Sequence, residues 1–269
     1  MNERFIIVGG GAAGYFAAIA CAEANPASNI TLLEKGKDVL GKVLMSGGGR
    51  CNVTHACFDP RELVQFYPRG SRELLGPFHK FQPGDTMEWF ADRGVELKIE
   101  SDNRVFPVTD SSQTIIDCLK EMAVTNGIEV LTSAGVKSFQ SLEGDRWEVM
   151  TNAGQTYDCD ALMIAPGSSK AMWDGLKKLG HKIIEPVPSL FTFNIKDTRI
   201  KGLSGISIPH TNVQIAASDL EAEGPLLITH WGLSGPAILR LSAWGARELS
   251  SRFYRFPILV NWLGRDEEE

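Results

Sequence analysis

The architecture of this chain is legible from one run near its start, Phe5-Ile6-Ile7-Val8-Gly9-Gly10-Gly11-Ala12-Ala13-Gly14, and from Glu34, twenty residues beyond Gly14. Four apolar residues in a row, without alternation, read as a strand buried on both faces. Gly9 to Gly14 forms a tight turn. Tyr15 to Glu23, apolar and rich in alanine, reads as a buried helix that Asn25-Pro26 stops. A second strand, Ile30 to Leu33, runs into Glu34, and strand–helix–strand with a short crossover is a right-handed parallel βαβ unit. Gly9-x-Gly11-x-x-Gly14 therefore stands where a dinucleotide fingerprint stands. The first glycine permits the turn, the second lets backbone approach a pyrophosphate, and the third packs helix on strand. The backbone from Gly9 to Gly14, Ala12 and Ala13 included, is assigned to the pyrophosphate, helped by the positive helix N-terminus. Glu34, with Lys35 beside it, is placed to accept hydrogen bonds from ribose hydroxyls.

A second glycine cluster follows almost at once: Gly41-Lys42-Val43-Leu44-Met45-Ser46-Gly47-Gly48-Gly49-Arg50-Cys51-Asn52-Val53-Thr54. An NAD domain would continue here into helix and strand. A glycine-rich stretch carrying Lys, Arg, Ser and Asn instead suits a larger cofactor wrapped toward its redox ring, which favours FAD. Lys42 and the segment Gly48, Gly49, Arg50, Cys51 and Asn52 are the expected wall along its second phosphate and ribityl chain. A third feature is the strand Ala161 to Ala165, which runs into Pro166-Gly167-Ser168. It brings another backbone turn to the carboxyl edge of the sheet, where ligands bind in such folds.

Further along, Asp59 to Gln82 mixes prolines with polar and aromatic residues and reads as weakly ordered. Helical patterns return at Asp85–Arg93 and Ser111–Asn126, the latter with a serine N-cap and Gly127 as its stop. Strand-like pieces at Ile128–Leu131, Gly135–Gln140, Trp147–Thr151 and Ala161–Ala165 are expected to form a meander. Composition breaks at Glu185-Pro186-Val187-Pro188. The expected organisation is α/β: residues 1–187 a Rossmann-like FAD-binding domain with parallel sheet and β-meander, residues 188–269 a smaller β-rich substrate domain with the start of a helical insertion. In the latter, Leu190–Ile195, Ile206–Ile215 and Leu226–Ile228 read as strands, and Pro236 opens an amphipathic helix reaching Leu249.

Composition sets outer limits. The chain has 269 residues, 43% hydrophobic and 22% charged, which excludes a disordered polymer. Its net charge of −6 carries no nucleic-acid footprint. The longest apolar run, Tyr15–Ala22, is far short of the roughly 18 residues of a membrane span, and the start shows no signal-peptide pattern. Five cysteines, an odd number without a C-x-x-C pair, argue against a disulfide framework or a zinc site. A cytoplasmic protein acting on a small molecule, with neither nucleic acid nor membrane as partner, is expected.

Gly9–Gly14, Glu34-Lys35, Lys42 and the string Ser46–Thr54 together resemble the bacterial two-dinucleotide-binding-domain flavoproteins named NAD(P)/FAD-dependent oxidoreductase or aminoacetone oxidase family FAD-binding enzyme. The stretch from Glu223 to Leu239, with Thr229-His230-Trp231-Gly232-Leu233-Ser234-Gly235-Pro236 at its centre, resembles the same family's second signature. The resemblance implies a split FAD domain, a small β-rich domain and a helical insertion, with non-covalent FAD and NAD(P)H as candidate electron donor. It implies that Val136 touches the adenine side through its backbone and that Ala165 and Gly167 line the cofactor. Activities it implies are oxidation of small amino ketones or reduction of conjugated ketones. Two departures stand out. Pro166 and Ser168 replace family residues, and Pro166 removes a backbone N–H. The family's closing glycine-rich segment also has no equivalent after Trp262, so by resemblance the chain is C-terminally truncated.

No side chain stands out as a catalytic acid or base. Cys51 reads equally as a flavin neighbour or a small packed thiol. His230 reads as a satisfied histidine, and Cys51, His55 and Cys57 lack a fourth ligand for zinc. Two alternatives stay open: an NAD-dependent dehydrogenase, disfavoured by the second glycine string, and a flavin-binding remnant without catalysis.

Overall fold

A computed structural model describes residues 2–263, which divide into two compact units at 183/184. In chain order the first unit contains β1 (Arg4–Val8), α1 (Ala12–Ala24), β2 (Asn29–Leu33), α2 (Gly41–Met45) and β3 (Thr54–His55). Three helices follow, α3 (Pro60–Leu63), α4 (Ser71–Phe78) and α5 (Pro83–Ala91), then β4 (Leu97–Ile99), β5 (Arg104–Pro107) and α6 (Ser112–Thr125). The unit closes with β6 (Glu129–Leu131), β7 (Val136–Ser141), β8 (Trp147–Thr151), β9 (Thr156–Cys159), β10 (Ala161–Ile164) and α7 (Lys170–Lys178).

Its centre is a four-stranded sheet in the order β10-β1-β2-β6, every pairing parallel. Successive side chains leave a strand on opposite faces, and the core shows it. Ile7 and Leu32 face a helical layer that includes Tyr15 and Ile19 of α1 and Ile115, Ile116 and Leu119 of α6. Ile6, Val8 and Leu33 face Phe139, Val149 and Cys159 of the β7-β8-β9 meander and Met172 of α7. Both faces of β1 are therefore dry, which is why its sequence is continuously apolar.

Three expectations are corrected here. The pieces at Ile128–Leu131 and Ala161–Ala165 are not part of the meander; as β6 and β10 they join the parallel sheet. The meander instead gains β9, whose sequence Thr-Tyr-Asp-Cys carries no strand pattern and is held by pairing with β8. The stretch from Asp59 to Gln82 is not weakly ordered. Pro60 starts α3 beneath the Asp59 cap (Arg61 N–H to Oδ1, 2.7 Å), Pro77 falls in the last turn of α4, and Pro83, just beyond the stretch, starts α5. A small antiparallel sheet, β3-β5-β4, was also not foreseen.

The second unit contains β11 (Phe193–Asn194), β12 (Ser207–Ile215), β13 (Glu221–Thr229), β14 (Gly232–Ser234), α8 (Pro236–Trp244), α9 (Ala246–Ser251) and β15 (Ile258–Asn261). The strands form one antiparallel sheet, β11-β14-β13-β12-β15. Val213, Ile215, Leu226 and Ile228 of the sheet bury against Ile238, Leu241 and Leu249 of the helices. The strand expected over Leu190–Ile195 shrinks to two residues. The helix expected to reach Leu249 breaks at Gly245, where a Cβ would lie 2.8 Å from Leu220 Cδ1 and 3.0 Å from the Leu241 carbonyl oxygen.

Candidate functional site

Val8, Leu33 and Ile164 are in register on β1, β2 and β10, so three turns leave the carboxyl edge of the sheet side by side. They are Gly9–Gly14, Glu34–Gly36 and Ala165–Gly167. The turns are fitted to one another by missing side chains. Gly9 has φ +113°, and a Cβ there would stand 2.3 Å from the Ala165 carbonyl oxygen. A Cβ on Gly14 would stand 1.8 Å from the Gly9 carbonyl oxygen, so α1 can approach the turn only through glycine. A Cβ on Gly10 would meet Glu34 Cβ and Val39 Cγ1 at 2.9 Å.

Gly11 differs: a Cβ there would meet nothing within 4 Å. It is the extended N-cap of α1, without a side-chain cap and with no acidic residue in the first turn. The first intrahelical bond is Tyr15 N–H to the Gly11 carbonyl at 3.0 Å. The amides of Ala12, Ala13 and Gly14 precede that first bond and have no acceptor outside the helix among the described residues, the arrangement that receives a phosphate at a helix N-terminus.

Glu34 does more than its position suggested. Its two oxygens accept the backbone N–H groups of Gly10 (2.7 Å) and Gly36 (2.6 Å). The carboxylate locks the glycine turn to the end of β2, and each oxygen retains a lone pair for a ribose hydroxyl. Val136 is brought close by the preceding loop: Ala134 N–H donates to the Glu34 carbonyl at 2.8 Å and Ser133 N–H to the Gly36 carbonyl at 2.7 Å. Lys35 is exposed beside Gly135, where a Cβ would lie 2.8 Å from Asn152 Nδ2 and 3.1 Å from Lys35 Cβ.

The second cluster is tied to the first by Leu40 N–H donating to the Gly10 carbonyl at 2.8 Å. One turn later Lys42 is exposed, without an ion pair among the described residues, and its Nζ lies 3.3 Å from where a Gly167 Cβ would be. Gly47, Gly48, Gly49 and Cys51 all adopt positive φ. Gly47 is the packed one, since a Cβ would lie 2.7 Å from the Asn52 amide and 3.0 Å from the Phe106 ring; Gly48 and Gly49 face open space.

The side chains that follow, expected along the cofactor, make contacts within the chain. Arg50 pairs with Glu100 at 2.6 Å and Asp110 at 3.3 Å and lies 3.9 Å over the Phe106 ring. Asn52 Oδ1 accepts the Val105 N–H at 3.3 Å. Cys51 is buried in the core beneath α1, and burial pushes its thiol above the ordinary value. Backbone at Gly48 and Gly49, with the ammonium of Lys42, is what this segment offers a ligand.

Each unit also contains a cavity. One of about 440 Å³ borders Arg4, Phe5 and Asn29, at the amino ends of β1 and β2. The other, of about 480 Å³, lies in the second unit around Ser204 and His230, whose Oγ and Nδ1 are 2.8 Å apart. Among the described residues no group of three or more His, Cys, Asp or Glu could hold a metal ion, and no helix is long and apolar enough to cross a membrane.

A parallel sheet whose carboxyl edge carries a glycine turn, a helix N-terminus and a strand-end acid defines a Rossmann-type α/β protein. The chain belongs to the family described as HI0933-like protein Rossmann domain, which it matches over residues 3–239. It is 29% identical over 250 residues to the ribosomal RNA dihydrouridine synthase of Haemophilus influenzae, covering 88% of this chain and 60% of that protein. It is 27% identical over 251 residues to the 3-dehydro-bile acid delta(4,6)-reductase of Clostridium scindens, covering 89% and 60%. The chain thus spans about 60% of the length of these curated relatives. A solved quinol fumarate reductase of E. coli is similar at 19% identity and a TM-score of 0.46, over 61% of this chain and 32% of that one, too faint a likeness to carry an argument.

Proposed function

We propose that the chain is the FAD-binding part of a flavin-dependent reductase that saturates a carbon–carbon double bond conjugated to a carbonyl group. The observation that carries this reading is the opening at Gly11, at the start of α1, where the amides of Ala12, Ala13 and Gly14 have no acceptor outside the helix among the described residues, with Glu34 bonded to Gly10 beside it. Those amides would bind the pyrophosphate and Glu34 the adenosine ribose, while the Val136 backbone would border the adenine. Lys42 would offset phosphate charge beside Gly167, and Gly48 and Gly49 would let backbone follow the rest of the cofactor. The second glycine string is what favours FAD over NAD as the resident group.

FAD, when bound, supplies hydride transfer, with NAD(P)H as the electron donor; the protein orients the cofactor and excludes water. The names of both curated relatives describe reduction of a carbon–carbon double bond, which supports enone-type reduction over amino-ketone oxidation. A small organic substrate and a cytoplasmic setting complete the proposal.

The test is anaerobic. FAD-loaded protein is given NADH or NADPH and offered a steroid enone or uridine monophosphate. The expected result is loss of the acceptor's conjugated absorbance that needs both FAD and the nicotinamide. Bound FAD with no consumption of either acceptor would overturn the reductase reading.

A further inference from the structure

The cavity of the second unit is built from two tethered walls. On one, Ile195 N–H donates to the Trp231 carbonyl at 2.8 Å, which fixes Lys196 and Asp197 beside the turn between β13 and β14. Asp197 then caps a short 3-10 turn, Thr198–Ile200, by accepting the Arg199 N–H at 2.8 Å. On the other, Gly205 N–H donates to the Ile228 carbonyl at 2.9 Å, and Ser204 Oγ meets His230 Nδ1. Gly202, at φ +83° with open space where a Cβ would be, turns the chain between them.

Charge on these walls is unbalanced. Asp197 is neutralised by the Arg199 guanidinium, with Nη2 2.6 Å and Nε 3.0 Å from Oδ2, and that pairing holds its carboxyl down at about 2. Lys196 and Lys201 line the same space with no carboxylate partner among the described residues. A cavity bearing two uncompensated ammonium groups, in a chain of net charge −6, is not a product of overall composition.

We infer that this cavity binds a phosphate ester, with Lys196 and Lys201 on the phosphate and the hydroxyls of Thr198 and Ser204 donating to its oxygens. Two point-charge ammonium groups match a dianion, whereas a carboxylate is better served by a guanidinium fork, and Arg199 is already engaged by Asp197. The volume of about 480 Å³ is in the range of small-molecule sites and leaves space beyond the phosphate for an organic group. Ile195 and Ile200, which line the cavity, offer that group an apolar face. That the ester is the substrate rests on the reductase reading; the site itself does not.

Calorimetric titration of the FAD-treated 269-residue chain with inorganic phosphate, uridine monophosphate and a short oligouridylate tests this, alongside a Lys196→Ala/Lys201→Ala variant. Both lysines are exposed, so circular dichroism is expected to be unchanged in the variant. Phosphate and the monophosphate should bind, and the variant should lose about tenfold per lysine, with binding weakened by added salt. Oligouridylate binding much more tightly than the monophosphate, with the same lysine dependence, would support the site and make a nucleic-acid backbone its source. Equal affinities would support it with a small phosphorylated molecule as source. No binding of phosphate or ester, an unaffected variant, or acetate binding as well as phosphate would overturn it. Flavin content is read by absorbance on the same samples, so failure here and failure of the flavin reading are separable.

Discussion

Gly11 and Gly14 belong to one turn and should answer substitution in opposite ways. Gly14→Ala forces a methyl to within 1.8 Å of the Gly9 carbonyl oxygen, and the backbone must move to relieve it. A loss of about 2–3 kcal/mol in urea unfolding is expected, of the order of other overpacked sites. Gly11→Leu meets no neighbour within 4 Å. It should cost about 1 kcal/mol through the weaker helix cap and leave the fold intact while filling the space proposed for pyrophosphate. A Gly11→Leu protein that unfolds as readily as Gly14→Ala would contradict the geometry. Glu34→Gln replaces one acceptor of a doubly bonded carboxylate with a donor, so an N–H of Gly10 or Gly36 loses its partner. Destabilisation of about 1–3 kcal/mol, measured with no ligand present, would establish the structural half of that residue's role.

Among the elements, the 3-10 turn Thr198–Ile200 carries a pH dependence. Arg199 holds the Asp197 carboxyl at about 2, below its ordinary value. A depressed carboxyl contributes stability that is present above the ordinary carboxylate range and lost as the group protonates, between about pH 4 and pH 2. Acid titration should show Asp197→Asn less stable than the parent at neutral pH and the two converging below pH 2; a constant gap would contradict this. The sequence discloses elements unevenly, for a physical reason. β1 announces itself because burial on both faces of the sheet demands an unbroken apolar run, and α1 because its residues are apolar and rich in alanine. α6 does so because Ser111 caps it, accepting the Gln113 N–H, and Gly127 ends it at φ +65°. The β3-β5-β4 sheet is too short for periodicity to show, and it exists because Thr54 pairs with Val105 far along the chain. For the same reason the pairing of Arg50 with Glu100 and Asp110, far along the chain, shows only once the chain is folded. The acid at the end of β2 was legible, whereas its bonds to Gly10 and Gly36 were not, since they depend on the turn's conformation.

For the whole molecule, the division at 183/184 coincides with a stretch, 181–189, in neither helix nor strand. Exposed backbone of that kind is where proteases cut first. Brief trypsin treatment is expected to cleave after Lys182, an exposed residue within it, and to release fragments 1–182 and 183–269 before either is degraded. Early cuts spread through residues 4–178 would contradict the two-unit organisation. Flavin retention tests whether the glycine turn of the first unit holds FAD. The 269-residue protein and Gly11→Leu are saturated with FAD, freed of excess by gel filtration, and read in the visible spectrum. Flavin bands retained by the parent at about one per chain, and lost from a folded Gly11→Leu protein, are the expected result. A parent that retains no flavin, or a variant that retains as much as the parent, would contradict it.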